Sequence, residues 1–125
     1  MVGTVYDELE VVRQMSGGTL KPEDVVEYAK DPDTKLHSRF EWDDSKAGPA
    51  YRIWQARMII RTTVTIIEGT TESIRAFVSL AEDRGSEGYR AMVEVMADDD
   101  TRMRLLAQAR KDAEVFQKKY KKLAS

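Results

Sequence analysis

Phe40-Glu41-Trp42-Asp43-Asp44-Ser45-Lys46-Ala47-Gly48-Pro49-Ala50-Tyr51-Arg52-Ile53-Trp54-Gln55-Ala56-Arg57-Met58-Ile59-Ile60-Arg61 is the stretch that decides the fold, and it holds both tryptophans of the chain. At about 100° per residue, Ile53, Ala56, Ile59 and Ile60 fall on one helical arc, and Tyr51, Trp54 and Met58 on a second arc roughly opposite. Arg52, Gln55, Arg57 and Arg61 fill the gaps. A helix apolar nearly all round is normally packed on two sides, so this segment predicts a central helix anchored by Phe40 and Trp42. Asp43, Asp44 and Ser45 are rival N-caps for it. Gly48-Pro49 permits two starts: a helix from about residue 44 to 61 with a distorted first turn, which is the reading preferred here, or a regular helix beginning nearer Pro49.

Upstream, Thr4 and Asp7 form an approximate capping box, and Val5, Leu9, Val12 and Met15 keep helical spacing. Gly17-Gly18 then stops this first helix. A phosphate-cradling role for the two glycines would need a preceding strand, which the sequence lacks. Lys21-Pro22-Glu23-Asp24 starts a second helix, with proline at its first position and carboxylates in its first turn. Val25, Val26 and Ala29 give it a buried stripe, and Asp31-Pro32 ends it. Leu36 and Phe40, one turn apart, predict a further helical turn facing the core.

Downstream the chemistry changes. Thr62-Thr63-Val64-Thr65-Ile66-Ile67 is β-branched and favours a strand. Gly69-Thr70-Thr71 reads as a turn. Ile74, Ala76, Val78 and Leu80 then alternate with Arg75, Phe77 and Ser79, the pattern of a half-buried strand. One antiparallel hairpin over 63–81 is the expectation, and it must pack on helices to be stable. The polar segment 82–88 reads as a loop, and the one expected to move. Tyr89, Met92, Val93 and Met96 predict a helix, Asp98-Asp99-Asp100 its break and the cap of the next, so that C-terminal helices fill 88–124. The last helix carries Leu106, Ala109, Ala113, Phe116, Tyr120 and Leu123 at alternating gaps of three and four, a heptad seam. Lys118, Lys119, Lys121 and Lys122 crowd its C-terminal end.

Length fits one domain over residues 1–125, with a helical N-terminal part over 1–62. The fold class expected is α+β, mainly helical, and the order of helices followed by a hairpin is that of winged-helix domains. Apolar residues at 42% supply a core. The net charge of −2 is unlike that of a strongly basic nucleic-acid binder, although a local basic face can hide inside it. The absence of cysteine excludes disulfides, thiolate catalysis and cysteine-ligated zinc. A secretory h-region and an apolar run long enough to span a membrane are both missing, so a cytoplasmic location without a membrane partner is expected.

Catalysis finds little support. His37 is the only histidine, and without a second histidine or a cysteine it makes a poor metal ligand; a packed or capping role is its simpler reading. The aspartate run 98–100 and the pair Asp43-Asp44 read as caps rather than cation sites. No nucleophile motif is present. The expectation is a non-enzymatic protein without cofactor or metal. Two binding roles remain, of which the first is preferred and the second is the alternative. In the first, Arg52, Arg57, Arg61 and Arg75, with Lys118, Lys119, Lys121 and Lys122, contact DNA or a nucleoprotein partner. Against it, the polar positions of the central helix do not form one wet stripe. In the second, the Leu106–Leu123 seam is the working surface: docking on its own domain is its plainest reading, pairing with a second copy as a homodimer the next, and engagement of another protein a further one.

Leu20-Lys21-Pro22-Glu23-Asp24-Val25-Val26, Leu36-His37, Phe40-Glu41-Trp42-Asp43-Asp44, Ala47, Tyr51-Arg52 and Gln55-Ala56-Arg57 resemble a family of small uncharacterised proteins encoded by bacteriophages and prophages. The resemblance extends more weakly through Arg75-Ala76-Phe77-Val78, Gly88-Tyr89-Arg90 and Lys119-Tyr120. Gly48-Pro49 departs from the small helix-favouring residues of the family at that point. The resemblance implies a phage setting, a host-cell cytoplasmic location and a phage or host protein as partner, and it brings no catalytic residues.

Overall fold

A computed structural model describes residues 3–66, 69–83, 85, 86 and 88–124. The chain divides into two compact units, Met1–Met92 and Val93–Ser125. It is mainly helical, with short antiparallel strands in the first unit.

Helix α1 spans Val5–Met15. The Thr4 hydroxyl accepts the Asp7 amide at 3.0 Å, so the expected cap forms. Gly17 and Gly18 end the helix at φ of 80° and 108°, a left-handed conformation open to glycine at little cost. Helix α2, Pro22–Ala29, follows with proline in its first turn. A 3-10 turn covers His37–Arg39. Two charged side chains of α1 are buried. Glu8 turns its carboxylate to the backbone of the next segment, accepting the Lys35 amide at 2.8 Å and the Leu36 amide at 2.9 Å. Arg13 forms a two-pronged bond to Glu10, at 3.0 and 2.9 Å, and donates to the Gly18 carbonyl at 3.2 Å. Each buried charge thus carries the partners that burial demands.

The central helix, α3, spans Pro49–Thr62. The start near residue 44 is corrected. Asp43 caps a separate turn, its carboxylate accepting both the Ser45 amide at 3.0 Å and the Ser45 hydroxyl at 2.7 Å. Gly48 is extended (φ −87°, ψ 179°), as a residue before proline prefers, and Pro49 takes the first helical position, where no amide hydrogen is needed. Packing on two sides is corrected as well. Ala56, Ile59 and Ile60 are buried and Ile53 half-buried, whereas Tyr51 and Trp54 on the opposite arc are 47% and 48% exposed. The helix therefore buries most of one arc and the other only in part, at the half-buried Met58.

After α3 come β1 (Val64–Ile66) and β2 (Ser73–Arg75), antiparallel, with Val64 opposite Arg75 and Ile66 opposite Ser73. The expected hairpin is present, and Ile67 of the β-branched run lies outside the described residues. The long alternating second strand is not formed. It breaks at Ala76, whose amide donates to the Thr63 carbonyl at 2.9 Å while its carbonyl accepts the Met92 amide at 2.8 Å. The chain changes partner there: β3 (Phe77–Val78) pairs with β4 (Arg90–Ala91). As a result Ala76, Phe77 and Val78 are all buried, and Phe77 tilts against Tyr6 with centroids 5.9 Å apart. Residues 88–91 are not helical as expected. Tyr89 exchanges backbone bonds of 2.8 Å in both directions with Leu20, tying the chain back to the end of α1. A Cβ at Gly88 would lie 2.5 Å from the Thr19 methyl carbon, so any larger residue there must displace the Thr19 side chain. Arg84 and Glu87 of the polar loop lie outside the described residues. The core of this unit gathers Leu9, Leu20, Val25, Leu36, Ile60 and Phe77.

Helix α4, Met92–Ala97, leads into α5, Asp99–Ala124. Asp98 caps α5 as expected: its carboxylate accepts the Thr101 amide at 2.9 Å. That bond is the main reason its carboxyl lies below the usual aspartate range. Arg102 pairs with Asp99 at 2.5 Å, and Arg104 with Asp100, along the first turns.

Candidate functional site

Arg52, Arg57, Arg61 and Arg75 belong to the first unit and do not form one basic face. Arg52 is held by its own loop. Its guanidinium pairs with Asp44 at 2.6 Å, donates to the carbonyls of Glu41 and Ala47 at 3.2 and 3.1 Å, and lies 5.6 Å from the Trp42 ring centroid. The Arg52 side chain is only 12% exposed, so it serves the junction between the Asp43 turn and α3 rather than a ligand. Arg57 is half-buried and has an interaction of its own. Arg61, in the last turn of α3, and Arg75, on β2, are exposed.

His37 serves the same junction. Its Nδ1 lies 2.8 Å from the Ala29 carbonyl, its ring stacks on Trp42 at 5.0 Å and 12°, and its own carbonyl accepts the Trp42 indole N–H at 2.7 Å. Its Nδ1 is therefore engaged by the backbone of α2. Among the described residues, no three acidic or histidine side chains lie close enough to hold a metal ion.

Open clefts mark this unit among the described residues. One, of about 390 Å³, lies between α1 and α2 and is lined by Val12, Met15, Ser16, Asp24, Glu27 and Tyr28. Burial, and then the charges of Glu8 and Asp31, push the Tyr28 phenol above its usual range. Another, of about 440 Å³, lies where the 3-10 turn meets the start of α3, with Arg39, Glu41, Lys46, Tyr51 and Gln55 on its walls. At its edge Tyr51 and Trp54 stack, with centroids 5.5 Å apart and ring planes at 25°. Helical spacing favours packing over base stacking for both rings. The signal against that was the helix start: once Pro49 is the first residue, Tyr51 belongs to the first turn, beside the cleft.

In the second unit, α5 carries the expected seam. Leu106, Ala109, Ala113, Phe116, Tyr120 and Leu123 are all exposed, Phe116 at 68% and Leu123 at 85%. Phe116 and Tyr120 stack one turn apart, at 6.4 Å and 17°. Lys118, Lys119, Lys121 and Lys122 are exposed on the same helix, Lys121 and Lys122 with interactions of their own. A seam of this kind normally meets another helix, because two apolar side chains per heptad cannot otherwise leave water. Among the described residues, no helix is long and apolar enough to cross a membrane. No family model, curated protein or solved structure matches the chain.

Proposed function

We propose that the protein is a non-enzymatic assembly module that works by pairing the seam of α5 with another helix, in the cytoplasm of a phage-infected or prophage-carrying host. The observation that carries the reading is the exposure of six heptad-spaced seam residues on one 26-residue helix. In proteins most of the stability of a helix comes from burying its apolar face. Light scattering on the full chain tests the reading. A mass above that of one chain, reduced to one chain by Phe116→Asp, is the expected result. A monomer at every concentration, or an oligomer indifferent to Phe116→Asp, overturns it.

A second reading keeps nucleic acid as the partner. It is favoured by the exposed Tyr51–Trp54 stack beside a cleft that carries Arg39 and Lys46, because base stacking on aromatic rings with nearby cations is a common way to hold single strands. Arg61 and Arg75 add to the basic surface, and Arg52 does not. A mobility shift at low salt separates the readings. Retardation of single-stranded DNA that is lost in Trp54→Ala supports this one, and its absence removes it.

A further inference from the structure

The seam of α5 has a size pattern. Its outer positions are leucines, and its inner positions run two small and then two aromatic: Leu106, Ala109, Ala113, Phe116, Tyr120, Leu123. Laid against a second copy running the opposite way, with the centre between Glu114 and Val115, each layer becomes complementary. Ala113 faces the partner's Phe116, Ala109 faces the partner's Tyr120, and Leu106 faces the partner's Leu123. Large side chains meet small ones, as close helix packing requires. A parallel pair would instead stack alanine on alanine and ring on ring, leaving gaps in two layers and crowding two others.

Charge selects the same alignment. Asp112 and Lys119 flank the seam on one side. Among the described residues neither has an ion-pair or hydrogen-bond partner in its own chain. In the centred antiparallel alignment, Asp112 meets the partner's Lys119, and the two-fold axis makes this contact twice. Sliding one helix by a heptad in one direction puts Asp112 against the partner's Asp112. Sliding it the other way puts Lys119 against the partner's Lys119. Both shifted registers juxtapose like charges, so they are disfavoured where the centred one is favoured. The helix dipoles also oppose each other in this arrangement, which is favourable.

We infer that α5 pairs with a second copy of itself as an antiparallel two-helix seam in this one register, held by small-to-large layers and two Asp112–Lys119 contacts. This rests on the assembly reading above and names its partner. The paired region would span about 26 Å along the helix.

Cysteine pairing tests the direction. The chain has no cysteine of its own, so Leu106→Cys and Leu123→Cys variants report cleanly. Oxidation of an equimolar mixture of the two full-length variants is expected to give mainly the mixed 106–123 disulfide. Charge reversal tests the register. Asp112→Lys or Lys119→Asp alone is expected to weaken association roughly tenfold, and the double variant to restore it. Homodisulfides in the cysteine mixture, or charge variants without effect on an oligomer that Phe116→Asp still dissolves, overturn the antiparallel register and leave the assembly reading standing. A wild-type chain that stays monomeric throughout overturns both.

Discussion

Arg52 shows how one residue can change role between sequence and structure. Read on a helical wheel it projects from a helix followed by a hairpin, where a DNA contact is reasonable. In the fold it pairs with Asp44, donates to the Glu41 and Ala47 carbonyls and lies beside the Trp42 ring. The wheel did not show this because the partners come from the turn before the helix, and that turn exists only because α3 starts at Pro49. Arg52→Ala is accordingly expected to cost about 1–3 kcal/mol, the range for charge-assisted hydrogen bonds to a largely buried group. Urea unfolding of the full chain measures it, and oligomer mass should not change. Glu8 lies three residues after Val5 and four before Val12, on the buried stripe, where a carboxylate is costly unless it finds partners. What the spacing lacked was the pair of amides, Lys35 and Leu36, that it accepts across the fold.

The elements were read well where local chemistry governs them. The Thr4 cap, the Gly17-Gly18 stop, the Pro22 start and the Asp98 cap all depend on residues within a few positions of each other. The long second strand failed because its end was decided by β4, more than ten residues away. Alternation placed Phe77 toward solvent, whereas the switch at Ala76 carries it into the core. Phe77→Ala is therefore expected to lose about 3–5 kcal/mol, as large-to-small changes in cores do. Arg75→Ala, two residues earlier and exposed, is expected to stay within about 0.5 kcal/mol. Thermal unfolding of the two variants distinguishes the switched strand from the alternating one. The α5 cap gives a pH dependence. Hydrogen bonds from Thr101 favour ionised Asp98, so its folded pKa lies below the ordinary 3.8. Its contribution is present in full above that value and is lost as pH falls through the lower, folded one. Helicity followed by circular dichroism through this acid window should fall later in Asp98→Asn than in the wild type, since the amide has no charge to lose.

At the scale of the whole molecule, the first unit is a closed core with its charges engaged or solvated, and the second presents an apolar seam. The seam was legible because heptad spacing is a property of one helix. Its exposure was not, because spacing cannot say whether a stripe packs within its own chain. The first unit supplies surface features of its own, among them the Tyr51–Trp54 stack and the cleft beside it. The working surface in this account is the α5 seam. Amide hydrogen exchange of residues 106–123, followed in the full chain at low and at high protein concentration, tests that most directly. Pairing predicts slower exchange at the higher concentration and no such slowing in Phe116→Asp. Exchange independent of concentration in the wild type would contradict it.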